Sequence, residues 1–465
     1  MNRFFPEQLQ VWTQGTWLTA PTAPTVNGFS NDTRTLASGN CFVALRTGQR
    51  DGHDFLDAAE QAGAVAALVS RPVPSSPLPQ LLVPDDTLAA LQRIAHQWRL
   101  GYAPPVIGVT GSVGKTSTKD MLAAMLGEAG FATKANLNNL LGVPLMLLGI
   151  EPERHTAGAV IEAGMSEPGE LERAAWIIEP DVAVVTNVQP AHLAGLGSME
   201  AIAQEKSALV RRMRAGGVAV FPASCLGYAP FQALTGRTAP VVFPGEVLPD
   251  GGRHERVFRV EFAESAGGRE IRLADADGGA VVQFFFPQST VGMARNASLA
   301  AVAASLAGVS GERIQAAFNA WKPSARRGEV REHEGRLFYV DCYNASPASV
   351  LDAAQAFDVR TGGIGAVGGR LFLLAGMNEL GAESVALHRE VGRRLPLRDG
   401  DVLGLFGGDS AAFGEGAVAA GFPAASVQVL ATIDAVREAV ASARGAVLLK
   451  GSRSYALERT LPWAK

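Results

Sequence analysis

The chain has 465 residues, more than one hydrophobic core usually serves, so about two to four domains are expected. A hydrophobic content of 47% with 26 prolines fits an ordinary α/β protein, and a formal net charge of −4 without a basic block excludes an electrostatic nucleic-acid surface. The sparse cysteines Cys41, Cys225 and Cys342 exclude a disulfide framework and suit a reducing compartment. Residues 1–104 read as a small α/β unit. "NCFVAL" and "AVAALV" are short buried-strand candidates, and "HDFLDAAEQAG" between them has helical spacing. "DTLAALQRIAHQW" is a second helix that Asp86 or Thr87 can cap, and "GYAPP" then marks a boundary near residue 104.

From 105 to 322 the strand "VIGV" runs into a glycine loop and a helix. "GAVIEAG", "DVAVVTNV" and "GGVAVFPAS" follow, separated by helical stretches, which implies a mostly parallel sheet. "RVFRVEF", "REIRLAD" and "AVVQFFFP" differ and predict an antiparallel insertion, after which the helix "ARNASLAAVAASLAG" returns to the core. "WKPSARRGE" reads as a second linker. Residues 323–465 then alternate "RLFYVD", "GRLFLLAGM", "DVLGLFG" and "AVLLKGS" with helices, a third, parallel-sheet domain. The start "MNRFFPEQLQVWTQG" has no apolar core of signal-peptide length, and no stretch reaches the roughly 18 apolar residues of a membrane span, so a cytoplasmic protein is expected.

The stretch "GVTGSVGKTSTKD" departs from the usual phosphate-loop spelling, with Val109 where a glycine is expected. It reads T-G-x-x-G-K-T from Thr110 to Thr116. Its strand–loop–helix context nonetheless suits a phosphate. Gly111 and Gly114 permit a tight turn, the backbone of Ser112, Val113 and Ser117 offers N–H donors, and the helix N-terminus favours an anion. Lys115 would reach the β/γ-phosphates and Thr116 would complete the shell of a Mg²⁺ ion. Glu162 ends one buried strand and His192 follows another, where ligands of open α/β sheets collect. Lys206 shares an apolar helical face with Ile202, Leu209 and Val210, an unusual place for a lysine unless paired or altered.

Together these stretches resemble the Mur ligases, ATP-dependent amide-forming enzymes of bacterial cell-wall precursor synthesis, whose own phosphate loop is spelled T-G-x-x-G-K-T. The resemblance implies three domains: a small N-terminal α/β domain for a uridine-diphosphate sugar, a central P-loop ATPase domain, and a C-terminal Rossmann-like domain. It implies ATP and Mg²⁺, with Thr116, Glu162, His192 and Lys206 as metal ligands, Lys206 as its carbamate, which turns a cation into a coordinating anion beside the metal. In "SNDTRTLASGNCFVAL" and "GQRDGHDF" it points to Asp32, Thr33, Arg34, Gly48 and His53 for the uridine-diphosphate sugar. In "NLNNLLGVP" it points to Asn138 and Asn139, which should face substrate. Asn296 matches an adenine-side asparagine, and Arg327, or its neighbour Arg326, an arginine for the γ-phosphate. Asp341, Tyr343 and Asn344 in "VDCYNASPAS" match a segment near ribose and adenine, with Ser346 replacing the usual asparagine.

"AGMNELGAESVALH" and "LLKGSRS" resemble the branch that adds D-alanyl-D-alanine to a UDP-N-acetylmuramoyl tripeptide. Asn378, Glu379, Lys450, Ser452 and Arg453 are its candidates for the incoming dipeptide. A monomer is expected, with no nucleic-acid partner. The rival readings are a folylpolyglutamate synthetase-like ligase, for which the N-terminal unit would have no use, and a P-loop regulatory NTPase, whose N-K-x-D specificity motif the chain lacks.

Overall fold

Runs of β-branched and small apolar residues form the strands here, and glycine-rich turns separate them from the helices. The computed structural model describes residues 3–191, 193–234, 236–249, 252–265, 268–287, 290–362 and 369–464, with sheets of five, nine and six strands and one two-stranded ribbon. The five-stranded sheet runs Thr16–Trp17, Gln80–Leu82, Ala66–Val69, Asn40–Val43, Gly28–Ser30 across its width, parallel except at the first pair. The helix Thr87–Gly101 follows it. Asp86 caps that helix, accepting the N–H groups of Leu88 and Ala89, while Thr87 donates its hydroxyl to Ala44 O instead.

In the nine-stranded sheet the strand before the glycine loop, Val106–Thr110, lies between Gly158–Glu162 and Val182–Val185 and is parallel to both. The chain thus fills both sides of the loop strand, and the register sets Glu162 beside Val109 and Val185 beside Thr110. This is a switch point, where open sheets form a crevice at their carboxyl ends. The strands Phe258–Ser265, Gly268–Ala274 and Ala280–Phe286 pair antiparallel to one another, as their alternation predicts. They are continuous with the main sheet, because Val241 and Val242 pair in parallel with Phe258 and Arg259. The helix Val291–Leu306 is buried along most of its length, consistent with its alanine-rich sequence.

The six-stranded sheet is parallel apart from its edge hairpin, Glu329–His333 with Arg336–Asp341. Its two faces carry separate apolar clusters, built around Phe357 and Phe372 on one side and Phe338 and Leu449 on the other. By contrast, one apolar cluster runs from Phe4 and Leu91 in the N-terminal unit to Ile161, Ile178 and Phe231 in the middle one. Among the described residues no helix is long and apolar enough to cross a membrane.

Candidate active site

The glycine loop, the Glu162 strand end and several third-domain loops line one cavity of about 810 Å³. Gly111 lies at φ 146° and Gly114 at φ 88°, both in the region that favours glycine. Side chains would also fail there for lack of room: a Cβ on Gly111 would strike Thr186, and one on Gly114 would strike the amide of Asn296. Ser112 through Ser117 line the cavity, and Gly114 caps the Lys115–Leu126 helix. Lys115 Nζ donates to Gly111 O at 2.7 Å and Ser112 O at 3.3 Å. Burial pushes its pKa down; Glu162 opposes that shift and Arg327 adds to it. An anion entering the loop would relieve this charge strain, which is what a phosphate would do.

Thr186 and Asn187, which the sequence reading passed over, buckle the loop to the neighbouring strand. Thr186 Oγ1 and Asn187 Nδ2 donate to Val113 O at 2.5 and 2.9 Å, and Val113 N–H donates to Asn187 Oδ1 at 3.0 Å. The signal available was a polar Thr-Asn pair ending the apolar run of Val182–Val185. Ser112 Oγ adds a bond to Gln189 O at 2.7 Å.

Glu162 is 2% exposed. Its Oε1 accepts from Asn138 Nδ2 at 2.8 Å and Thr116 Oγ1 at 3.2 Å, while its buried Oε2 has no hydrogen-bond partner. An orphaned carboxylate oxygen beside a threonine hydroxyl is a fitting place for a hard divalent cation. Among the described residues no group of three His, Cys, Asp or Glu side chains could hold a metal. His192 lies outside the described residues. Lys206 is 1% exposed, on the expected face with buried Ile202, Leu209 and Val210. Burial, then the like charge of Lys115, push its pKa well below the usual lysine range. Among the described residues no carboxylate pairs with it.

Asn296 packs over Gly114, and Arg327 stacks on the Tyr343 ring at 3.9 Å from its centroid; both line the cavity with Asp341 and Asn344. Arg326 turns away and bonds Glu458 at 2.9 Å, so of the two neighbouring arginines it is Arg327 that faces the loop. Asn139 takes the N–H groups of Leu141 and Gly142 and, like Asn138, lines the cavity.

Several expected positions do not present free polar atoms to the cavity. His53 is 2% exposed: its Nε2 accepts Ser70 N–H at 3.0 Å, so Nδ1 carries the proton and donates to Asp51 at 2.5 Å. It braces its hairpin and presents no free nitrogen to a ligand. Asp32 and Arg34 bond each other at 2.6–3.2 Å, and Arg34 holds the Asp32 carboxyl at about 2. With Thr33 and the exposed turn residue Gly48 they lie outside the cavity, linked to it where the Gly28–Ser30 strand meets the Gly142–Leu148 helix after Asn139. In the third domain Asn378 and Glu379 line the cavity, whereas Ser452 is buried and accepts Asn378 N–H at 2.9 Å. Arg453 pairs with Glu458 outside it. Lys450 reaches its wall but is tied to Asn344 O at 2.6 Å and Asp341 at 3.0 Å, a strut between adjacent strands.

A phosphate loop facing a cleft completed by a second α/β domain defines a nucleotide-dependent group-transfer enzyme. Residues 109–304 match the Mur ligase middle domain and residues 326–453 the Mur ligase glutamate ligase domain. The UDP-N-acetylmuramoyl-tripeptide–D-alanyl-D-alanine ligase of Escherichia coli K12 is 32% identical over 94% of this chain and 93% of its own. A crystal structure of MurF from Acinetobacter baumannii superposes with a TM-score of 0.82 at 29% identity, covering 99% of this chain and 98% of that one. MurF from Thermotoga maritima in complex with ADP gives 0.75 at 25% identity, over 93% and 96% of the two chains. The chain belongs to the Mur ligase family.

Proposed function

We propose that this chain is an ATP-dependent ligase that joins D-alanyl-D-alanine to a UDP-N-acetylmuramoyl tripeptide, in cytoplasmic peptidoglycan precursor synthesis. The observation that carries the reading is the shared cavity: a phosphate loop on one side, and Arg327, Tyr343, Asn378 and Glu379 of the third domain on the other. ATP phosphorylates the terminal carboxylate of the tripeptide, and the amine of the dipeptide then displaces phosphate from the acyl phosphate. Residues 1–104 bind the uridine-diphosphate sugar, 105–322 hold ATP, and 323–465 receive the dipeptide and close the ATP site.

Lys115 and Arg327 stabilise charge on the transferring phosphoryl group, and Asn296 meets the adenine. Thr116, Glu162 and His192 would hold Mg²⁺, which neutralises phosphate charge when bound. Asn138 orients Glu162 through its amide. Lys206 is the candidate for carbamylation: burial and the like charge of Lys115 disfavour its ammonium form, which suits the amine to take up CO₂ and become an anion. Asn378 and Glu379 are placed to meet the dipeptide, with Lys450 and Ser452 holding the walls behind them.

The test is ADP release from purified UDP-muramoyl tripeptide. D-alanyl-D-alanine should drive it, single amino acids should not, and the L,L dipeptide should be much poorer. Equal turnover with free glutamate would overturn the choice of acceptor and leave the ATP chemistry standing. For the carbamate, Lys206→Ala should be nearly inactive and partly rescued by acetate. Intact-protein mass and a crystal structure with Mg²⁺ and nucleotide that both show a free amine would reject the modification.

A further inference from the structure

Arg326 is a non-glycine residue at φ 65°, in the left-handed region. It occupies the connection between the Gly311–Ala320 helix and the Glu329–His333 strand, directly before the cavity residue Arg327. Three bonds hold it. Its N–H donates to Glu329 Oε2 at 3.2 Å, its carbonyl accepts Tyr343 N–H at 3.2 Å, and its Nη1 donates to Glu458 Oε1 at 2.9 Å. The Glu458 side chain is 20% exposed and also receives Arg453, so one carboxylate ties two arginines together. Arg327 and Arg453 both approach Tyr343, at 3.9 and 5.9 Å from its ring centroid.

We propose that Arg326 and Glu458 form a positioning clamp for Arg327. The ion pair holds residue 326 in a backbone conformation that L side chains rarely adopt, and this turn delivers Arg327 onto Tyr343 and into the cavity. An alanine at 326 would keep the strain and lose the anchor, so the turn would relax to negative φ and redirect the next residue. A glycine would adopt the turn without strain, and a lysine would keep the charge pair. Glu458 lies 132 residues downstream, on the Leu457–Thr460 3₁₀ turn, so a turn near the far end of the described chain sets the arginine at the start of the domain. The kinetic consequence rests on the reading that Arg327 meets the transferring phosphate.

The experiment uses full-length Arg326→Ala, Arg326→Gly, Arg326→Lys and Glu458→Gln, each with a crystal structure in ADP and with kcat and KM from ADP release. Arg326→Ala and Glu458→Gln should move Arg327 off the Tyr343 ring and lower kcat by about 10- to 100-fold, as small misplacements of catalytic groups do. The KM for each of the three substrates should stay within about twofold, because ground-state binding is untouched. Arg326→Lys and Arg326→Gly should recover most of the loss, and thermal midpoints should not track kcat, which separates positioning from mere stability. In an Arg327→Lys background, which keeps residual turnover, the clamp substitutions should cost little further; a full additive cost would overturn the clamp. So would Arg327 remaining on Tyr343 in both Arg326→Ala and Glu458→Gln. A displaced Arg327 with unchanged kcat would support the clamp and remove Arg327 from phosphoryl transfer. If Arg326→Ala does not fold, Glu458→Gln carries the same readouts.

Discussion

The N-terminal unit and the third domain are joined to the middle domain in opposite ways. The first seam is apolar and continuous: Leu91, Ile94 and Ala95 share a cluster with Val143, Leu147 and Ile178. Arg99 is buried within it and donates to Ile178 O, Glu179 O and Asp181 at 2.6–2.9 Å, and Tyr102 OH donates to His155 O. The second junction is a polar cleft, and among the described residues no buried apolar cluster crosses it. Among the described residues few direct bonds cross it. Asp352 accepts Gly292 N–H at 2.9 Å, Ala194 N–H donates to Glu379 O at 3.2 Å, and Ser324 bonds Asp120. An apolar seam resists separation, whereas a wet cleft with a handful of bonds can open and admit ligand. Stability is therefore concentrated at the first junction and chemistry at the second.

Substitutions at the two junctions should separate these properties. The largest effect belongs to the cleft: Lys115→Ala should lower ADP release by at least 10²–10³-fold. Its thermal midpoint should hold or rise, because a half-buried, partly desolvated charge is removed. A folded Lys115→Ala with near-normal turnover would break the comparison at its chemical end. At the seam, Arg99→Ala leaves buried carbonyls and Asp181 without their partner. It should cost about 3–5 kcal/mol in urea unfolding while the folded fraction turns over normally. A large kcat loss with unchanged urea midpoint would reverse the assignment.

Asp352 tests whether the cleft contributes stability at all. It caps, from the third domain, the middle-domain helix that carries Asn296. Asp352→Ala should cost about 1 kcal/mol, as helix caps do, and raise KM for ATP more than it changes the urea midpoint. Acidification gives the smallest effect and reaches both regions. Burial holds His155, beside the seam, and His388, in the third domain, below their ordinary values. Each accepts a backbone N–H on one ring nitrogen: His155 from Glu151 at 2.8 Å and His388 from Met377 at 2.9 Å. Between about pH 6.5 and the lower folded values the unfolded chain binds more protons, so stability is complete above about 6.5 and falls as pH falls. Urea titrations should show that slope, and His388→Gln should lessen it.

Much of the site was legible because chemistry-bearing residues sit at the ends of apolar runs. Lys115 and Thr116 follow Val106–Thr110, Glu162 ends its own strand, and Lys206 stands out as a charge on an apolar face. What escaped depends on contacts distant in sequence. Asn187 meets Val113 across 74 residues and Asp352 meets Gly292 across 60, and neither pairing leaves a local pattern. Direction escaped as well. His53 and Ser452 are polar residues in the expected stretches, yet the fold commits their polar atoms to partners within the protein. The Glu329–His333 strand was hidden because its side chains are largely exposed and carry no apolar alternation. The antiparallel strands were visible from their alternation, but their joining to the main sheet, through the pairs Val241–Phe258 and Val242–Arg259 and a shared apolar cluster, left no local pattern.

The cluster shared across the first seam has a consequence for the order of synthesis. A chain emerging from the ribosome exposes Phe4, Leu9 and Leu91 long before Ile178, Phe221 and Phe231, which complete the same cluster. That face of the N-terminal unit is therefore made first but packed only with the middle domain, and it stays open to chaperones until the middle sheet has formed. The third domain, whose clusters close on themselves, has no such wait.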